Sequence, residues 1–202
     1  MDIEFEAKFY PVEKESFRKK LRSMGAELLI PERKMIRIVA DDKENPILTK
    51  SGYIRIRDED NLLRLSLKIT AKWSGKLSDQ KEIDVEVSDF KRTKSIIEAC
   101  GIKFNRRQET LREEWEYNGA QITIDTWPGL DTYSEIETDS EKKVKEIALK
   151  LDLDWDKKII VPAADIYAKV YGISIDEVLE KISYITFENN PFEGLTRVWN
   201  GS

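Results

Sequence analysis

The stretch that decides the fold lies at the start of the chain, where residues 2–10 are DIEFEAKFY. Polar and apolar side chains alternate along it, which is the period of two that marks a β-strand with one buried face. Residues 11–25, PVEKESFRKKLRSMG, follow with a proline at the first helical position, apolar side chains at helical spacing and a final glycine. The chain is therefore predicted to begin with a strand and a helix.

The same order of elements returns in the second half of the chain. IDVE at residues 83–86 resembles IEFE at residues 3–6, and a second helical pattern ends at Gly101 as the first ends at Gly25. The sequence therefore predicts an internal duplication of a β-α-β-β-β unit. The three strands after each helix are predicted at residues 26–39, 52–57 and 62–70, and again at residues 104–117, 120–127 and 133–138.

Eight strands with short links favour one antiparallel sheet that curls into a barrel. Asn118-Gly119 is the strongest short hairpin signal, and DEDN at residues 58–61 favours another tight turn. Neither half can close its own sheet edges, so we expect an α+β fold, an eight-stranded antiparallel β-barrel or tunnel with helices packed outside. Helices near residues 140–151 and 162–179, a single domain at 1–185 and a C-terminal tail of unassigned order at 186–202 complete the prediction.

Composition excludes several classes of function. The 202 residues include 34 Lys+Arg, 39 Asp+Glu and no histidine, for a formal net charge of -5. Without histidine there can be no Ser-His-Asp or Cys-His relay, and the single Cys100 rules out an intramolecular disulfide. The acidic net charge and scattered basic residues argue against nucleic-acid binding. The chain shows neither a signal-peptide pattern nor an apolar run of roughly 20 residues, so we expect a cytoplasmic protein with no membrane role.

Charged residues recur two positions apart along the strand patterns. Such residues lie about 7 Å apart on one face of a strand, close enough for two carboxylates to share a divalent ion or two guanidinium groups to grip a polyphosphate. The opposite faces are apolar and can be covered by helices, so we expect the charged faces to point into the barrel. The alternative for any single pair is a solvated face with cross-strand ion pairs. The pairs and triplet are Glu4 and Glu6, Arg55 and Arg57, Glu82, Asp84 and Glu86, and Glu135 and Glu137; the apolar residues opposite include Ala7, Ile56, Val85, Val87 and Ile136.

A barrel lined with both signs of charge can hold a polyphosphate together with its metal ions. Arginine donates two parallel hydrogen bonds to phosphate oxygens, and clustered carboxylates bind hard cations that bridge to the same phosphate chain. Since histidine and thiolate ligands are missing, an oxygen-only site favours Mg²⁺ or Mn²⁺ over zinc.

Taken together, these motifs resemble the CYTH family of triphosphate tunnel metalloenzymes, which includes class IV adenylyl cyclases, thiamine triphosphatases and inorganic tripolyphosphatases. The likeness spans roughly residues 1–185, and it implies an eight-stranded tunnel built from two β-α-β-β-β repeats. The motifs that carry it are EFEAK at 4–8, which matches the family's ExExK, YIRIR at 53–57, LSLK at 65–68, Arg112, ITIDTWPGL at 122–130 and YSEIE at 133–137.

The resemblance also implies roles for individual residues. One group would position the divalent ions, a second would hold the triphosphate, and Glu6, Lys8 and Arg57 would take part in catalysis. Thr110 stands where the family usually has a basic residue, so Arg106 is expected to supply that charge from another depth, and Lys169 to cap a tunnel mouth. The metal group is Glu4, Glu6, Asp125, Glu135 and Glu137; the substrate group is Lys8, Arg55, Arg57, Lys68, Arg112, Arg106 and Lys169.

The leading hypothesis is a Mg²⁺- or Mn²⁺-dependent hydrolase of inorganic tripolyphosphate or of a nucleoside or thiamine triphosphate. One alternative is an adenylyl cyclase that makes cyclic AMP and pyrophosphate from ATP in the same tunnel. Another is a polyphosphate-binding module without turnover. In each case the expected partner is a triphosphate-containing small molecule, bound by a monomer or a homodimer.

Overall fold

A computed structural model of the chain describes residues 2–3, 5–40, 52–60, 62–69 and 76–201. Glu4, a predicted metal ligand, lies outside the described residues. The strands are β1 (Asp2–Ile3), β2 (Phe5–Phe9), β3 (Glu27–Ala40), β4 (Gly52–Asp58), β5 (Leu63–Ile69), β6 (Lys81–Val87), β7 (Arg106–Tyr117), β8 (Ala120–Thr126), β9 (Tyr133–Thr138) and β10 (Tyr184–Ile185). The helices are α1 (Lys14–Ser23), α2 (Phe90–Ala99), α3 (Glu141–Lys150), α4 (Ala163–Tyr171) and α5 (Ile175–Lys181).

The strands form one sheet whose two ends meet on the same stretch of chain. Their order is β1-β6-β5-β4-β3-β7-β8-β9-β2, and every ladder along it is antiparallel. At one end Asp2 pairs with Glu82, and at the other Phe9 pairs with Ser134. Since β1 and β2 follow one another in the chain, they act as one strand that joins both ends. The predicted α+β fold with an eight-stranded antiparallel barrel is confirmed.

The predicted duplication is also confirmed. One repeat is β2-α1-β3-β4-β5 and the other is β6-α2-β7-β8-β9. The predicted hairpin turn joins β7 to β8, and both of its central residues, Asn118 (φ 53°) and Gly119 (φ 73°), adopt the left-handed conformation that a two-residue hairpin of this kind requires.

The first hydrophobic core lies between α1, α3 and the outer face of the sheet. The strand residues in it alternate with charged or polar residues, so the apolar face of β2, β8 and β9 points to the helices and the charged face points inward. Each fully buried aliphatic side chain contributes roughly 1.5–3 kcal/mol. Buried members include Phe17 and Leu21 of α1, Val144 and Ile147 of α3, and Ala7, Ile122, Ile124 and Ile136 of the strands.

The helices do not cover every apolar strand face, which corrects one expectation. On β6, Ile83 and Val85 are 45% and 48% exposed, and α2 has no buried residue among those the structure describes. The predicted long helix at residues 162–179 is also wrong, because Gly172 adopts a left-handed conformation (φ 64°) that ends α4. Ser174 then caps α5, its hydroxyl accepting a hydrogen bond from the backbone N–H of Glu177.

The second core lies at one end of the barrel and is built mainly by the C-terminal third of the chain. β10 pairs in parallel with β7 at Arg107 and Gln108, beyond the point where β8 ends. α4, α5 and the segment after β10 pack there against the connection between β8 and β9. Buried members include Tyr10, Trp127, Tyr133, Ile166, Tyr167, Val178, Ile182 and Phe192. None of the helices in the described ranges is long and apolar enough to span a membrane.

Candidate active site

Polar and charged side chains fill the inner face of the sheet. They are largely buried, alternate with the outward apolar residues and contact one another across strands, which places them inside the barrel. The set comprises Glu6 and Lys8 on β2, Arg37 on β3, Arg55 and Arg57 on β4, Ser66 and Lys68 on β5, Glu82 on β6, Gln108, Thr110 and Arg112 on β7, Thr123 and Asp125 on β8, and Glu135 and Glu137 on β9.

Two lysines hold the acids at one side of the site. Lys68 Nζ lies 2.8 Å from Glu6 Oε2 and 3.1 Å from Glu82 Oε2. Lys8 Nζ pairs with Glu6 and lies 3.4 Å from Glu135 Oε1. Burial raises the pKa of Glu6, but the two lysines outweigh it and bring that pKa well below its usual range. Glu6 is therefore ionised, with its charge balanced by ammonium groups.

Glu137 has a different environment although it belongs to the same acidic group. Among the described residues it makes no ion pair or hydrogen bond through its side chain, and burial, followed by the charge of Glu6, raises its pKa. A buried carboxylate beside other carboxylates is stabilised by a nearby cation. Glu137 therefore marks a place where a positive charge would be favourable.

Arg112 is held by two carboxylates at the centre of the site. Its Nε donates to Asp125 Oδ1 at 2.7 Å and its Nη2 donates to Asp125 Oδ2 at 3.0 Å and to Glu135 Oε2 at 2.6 Å. Asp125 also accepts a hydrogen bond from Thr123 Oγ1 at 2.6 Å. This bidentate geometry fixes the plane of the guanidinium group in the tunnel.

The arginines of β4 lie close to Arg112 on the inner face. Burial lowers the pKa of Arg57, and the neighbouring charges of Arg55 and Arg112 lower it further. Arg55 Nη2 donates to Glu82 Oε1 at 2.7 Å, whereas its buried Nε has no hydrogen-bond partner within the described structure. Guanidinium groups that repel one another and keep unused donors form a site suited to a polyanion.

The donor chemistry of the site suits Mg²⁺ or Mn²⁺. All candidate ligands are carboxylate oxygens, and no described lysine or arginine forms an ion pair with Glu137, although the charge of Lys68 acts on it. Across the described ranges no three acidic side chains converge into a ready metal cluster, and ammonium groups contact Glu6, Glu82 and Glu135 instead. Among the described residues of the inner face, the carboxylates that could hold a divalent ion are Glu6, Glu82, Asp125, Glu135 and Glu137.

The structure brings most of the predicted site residues together, but not all. The predicted group Glu6, Lys8, Arg55, Arg57, Lys68, Arg112, Asp125, Glu135 and Glu137 lines one inner face. Arg106 lies at the first position of β7, half-buried and opposite Val39, two residues before Gln108. Lys169 is exposed on α4, where its Nζ lies over the ring of Trp199 at 5.6 Å from the centroid, and it contacts none of the grouped residues.

Sequence reasoning missed Arg37 and Glu59. Arg37 faces the tunnel from β3, two strand positions from Met35 and Val39, so the only signal was a charged residue within the apolar run MIRIV at 35–39. Glu59 follows β4 in the turn predicted at 58–61, and it is only 3% exposed. It accepts from Arg57 Nε at 2.6 Å and from Arg33 Nη2 at 3.1 Å.

The chain was compared with protein-family models, with curated protein sequences and with solved structures. A family model described as the CYTH domain matches residues 2–171. A search of curated protein sequences finds no match. A solved structure from Vibrio parahaemolyticus, described as a candidate adenylate cyclase, is similar with a TM-score of 0.70 and 11% identity, covering 83% of this chain and 98% of that one.

Two further solved structures have the same fold. A conserved hypothetical protein from Pyrococcus furiosus has a TM-score of 0.65 and 20% identity, covering 79% of this chain and 96% of its own. HpAC1 from Hippeastrum, described as having a dominant triphosphatase activity, has a TM-score of 0.53 and 16% identity, covering 83% of this chain and 94% of its own. Such identities show similarity of fold alone, but the family model covers both repeats and reaches the end of α4. The chain therefore belongs to the CYTH domain family.

Proposed function

We propose that the protein is a divalent-metal-dependent hydrolase of a triphosphate, bound inside the barrel. The observation that carries this proposal is the grouping of Arg55, Arg57 and Arg112 on the inner faces of β4 and β7; burial lowers the pKa of Arg57, and the charges of Arg55 and Arg112 lower it further. A phosphate chain would relieve that repulsion and use the free donor on Arg55. The unbalanced carboxylate of Glu137 supports a cation beside it.

We assign phosphate binding, metal binding and stabilisation of the leaving group to different residues of the site. Arg55, Arg57 and Arg112 would bind the non-bridging oxygens, orient the chain for in-line attack and neutralise charge that develops on the departing phosphate. Glu6, Glu135 and Glu137 would hold Mg²⁺ or Mn²⁺, which when bound supplies Lewis acidity toward phosphoryl oxygens. Lys8, between Glu6 and Glu135, would stabilise the leaving group. Glu4 and Asp125 remain proposed metal ligands, although Asp125 is bonded to Arg112 here.

The site is made by one chain, so a monomer or a homodimer would serve equally. Triphosphates are abundant in the cytoplasm, and we propose that location. The remaining proposed substrate contacts, Lys68, Arg106 and Lys169, differ in support: Lys68 lies within the ion-pair network, whereas Lys169 is exposed on α4.

A substrate panel tests the proposal. Purified protein is incubated with inorganic tripolyphosphate, ATP, GTP and thiamine triphosphate, with Mg²⁺ and Mn²⁺ separately, near neutral and alkaline pH. We expect release of phosphate from at least one triphosphate, abolished by Arg112→Gln and by a chelator but kept in Lys142→Gln, whose side chain is 87% exposed. The variants guard against a contaminating phosphatase.

Chromatography of the ATP products separates the alternatives. Cyclic AMP with pyrophosphate would identify a cyclase, and ADP with phosphate a hydrolase. Tight binding of tripolyphosphate by a folded protein, without any product under all conditions, would identify a binding module and overturn the proposal.

A further inference from the structure

Arg37 is a partly buried cation whose position is fixed by three other elements. It lies on the inner face of β3, directly opposite Arg57 on β4 and Gln108 on β7. Its Nε donates to Gln108 Oε1 at 3.0 Å, and Gln108 Nε2 in turn donates to the carbonyl of Ile182 at the end of α5, also at 3.0 Å. Its guanidinium carbon lies 4.0 Å from the centroid of the Trp127 ring. Side chains held in this way lose little further freedom when they bind a ligand.

No carboxylate of the described residues pairs with Arg37. In this it differs from the neighbouring arginines, since Arg55 pairs with Glu82 at 2.7 Å and Arg112 pairs with Asp125 at 2.7 Å. Burial lowers the pKa of Arg37, and the charge of Arg55 lowers it further. The guanidinium group remains charged at neutral pH, and none of the described carboxylates compensates that charge through an ion pair.

The second core packs against the end of the barrel at Arg37, which we call the closed end, and the chemistry of this end differs from that of the acidic side. Trp127 belongs to the second core, and its indole Nε1 donates to the hydroxyl of Tyr133 at 2.7 Å, so the ring is held against Arg37. The charged groups that act on Arg37 are Arg55 and Arg112, with Tyr53 and Tyr133. Those that act on Glu137 are instead Glu6, Lys68, Glu135 and Glu82. The closed end is therefore cationic and aromatic.

We propose that Arg37 binds the terminal phosphoryl group of the substrate at this closed end, and that the substrate therefore enters with an unsubstituted phosphate first. The inference rests on the proposed function. A terminal phosphoryl group has three non-bridging oxygens and the highest charge of the chain, and a planar guanidinium fork matches two of those oxygens. Any organic substituent then lies toward the other end of the tunnel. The substrate class is a triphosphate with at least one free end.

Binding in the presence of a chelator tests this role without relying on catalysis. Calorimetry measures the dissociation constant of tripolyphosphate for the wild type, Arg37→Gln, Arg37→Lys, Arg55→Gln and Arg92→Gln; Arg92 is 88% exposed on α2 and serves as the matched surface control. We expect Arg37→Gln to weaken binding on the order of 10- to 100-fold, the scale of hydrogen bonds to charged groups. Arg37→Lys should recover part of the loss, and Arg92→Gln should match the wild type.

Stability of the ligand-free protein distinguishes a binding role from a structural one. Because Arg37 pairs with no carboxylate in the described part of the chain, Arg37→Gln should keep or raise the melting temperature. Arg33→Gln, on the same face of β3, should lower it, because Arg33 pairs with Glu114 at 2.5 Å and with Glu59 at 3.1 Å. A fall in melting temperature of Arg37→Gln with unchanged affinity would show that Arg37 serves only to pack Trp127, and would overturn the proposal.

The free-end requirement has its own measurement. ATP, with one free end, should bind the wild type at least 10-fold more tightly than diadenosine triphosphate, which has none, and the difference should shrink in Arg37→Gln. Equal affinities for the two nucleotides would overturn the orientation. If Arg37→Gln binds tripolyphosphate as tightly as the wild type while Arg55→Gln binds it more weakly, only the role of Arg37 is overturned. If the wild type binds no triphosphate at all, the proposed function is overturned as well.

Discussion

Glu137 lies directly opposite Glu6 across the ladder between β2 and β9, and among the described residues lysines form ion pairs with Glu6 but not with Glu137. Lys8 and Lys68 hold Glu6 in its charged form. Burial and the charge of Glu6 instead raise the pKa of Glu137. Two neighbouring carboxylates thus have opposite pKa shifts, because Lys8 and Lys68 contact Glu6 directly, whereas the charge of Lys68 does not offset burial and the charge of Glu6 at Glu137.

Replacing Glu137 should separate metal binding from folding. Glu137→Gln removes a carboxylate that burial and Glu6 disfavour, so the chelated protein should keep or gain melting temperature. The stabilisation that added Mn²⁺ gives the wild type should shrink, since a ligand that binds the folded state raises its stability according to affinity. We expect metal affinity to fall at least roughly 10-fold, as it does even for groups that only support metal ligands.

Thermal melts with a chelator and with a series of Mn²⁺ concentrations measure both effects. Glu86→Gln, an exposed acid on β6, provides the control and should respond to Mn²⁺ as the wild type does. If Glu137→Gln keeps the full response to the metal, Glu137 is not a metal ligand.

In the absence of a metal ion, the ammonium group of Lys8 should stabilise the negative charges of Glu6 and Glu135. Burial lowers the pKa of Lys8, but Glu6 and Glu135 outweigh it and raise that pKa overall, so the ammonium group is charged throughout the neutral range. Lys8→Gln would leave Glu135 with Arg112 and Glu6 with Lys68 alone. Losing one partner of a buried ion pair costs about 3–5 kcal/mol.

Urea unfolding of Lys8→Gln with a chelator should show this loss, and saturating Mg²⁺ should restore part of it because a cation again faces the two acids. In saturating Mg²⁺, phosphate release by Lys8→Gln should still be slower than that by the wild type. A loss of stability that Mg²⁺ leaves unchanged would mean that the metal does not bind beside Glu6 and Glu135.

The fold was predictable because buried faces impose their period on the sequence. DIEFEAKFY alternates since Phe5, Ala7 and Phe9 pack in the core with α1 and α3 while Glu6 and Lys8 face inward. The same alternation on β6 made the duplication visible, although Ile83 and Val85 of its apolar face are 45% and 48% exposed. Asn118-Gly119 was decisive because few dipeptides accept two successive left-handed residues.

Arg37 was not predictable because its neighbours on the inner face of β3, Met35 and Val39, are apolar. Its importance comes from Gln108 and Trp127, which are distant in the sequence and join it only through strand pairing and the second core. The pattern within one strand identifies pairs of charged residues, but it does not identify a single charged residue whose contacts come from other strands and helices.

Glu59 gives the protein a defined sensitivity to acid. Burial raises its pKa, but Arg57, Arg64 and Arg33 outweigh that effect and lower the pKa overall. The folded state therefore binds this proton less readily than the unfolded state. The stability gained from the carboxylate is complete above the ordinary glutamate pKa and is lost as pH falls through the lowered value.

Comparing Glu59→Gln with the wild type across pH tests this assignment. At neutral pH the variant should be less stable by about 3–5 kcal/mol, because buried arginines lose their partner. Between about pH 5 and pH 3 the wild type should lose stability faster, so that the two curves converge. Denaturant titrations at fixed pH supply the curves, and parallel curves would contradict the role of Glu59.

Phe192 should be the main anchor of the segment after β10, where the sequence shows no regular period. It is 1% exposed, and its ring stacks on Tyr167 and Tyr171 with centroids 4.3 Å and 4.9 Å away. Phe192→Ala should destabilise the protein by about 3–5 kcal/mol in urea unfolding, the usual effect of removing a buried aromatic ring. Phe187→Ala, at a position 39% exposed, should cost much less.

Tyr167 also contacts Trp127, whose ring supports Arg37, so Phe192→Ala should weaken tripolyphosphate binding even at temperatures where it is fully folded. Equal binding by the folded variant and the wild type would show that the second core closes the barrel without positioning Arg37.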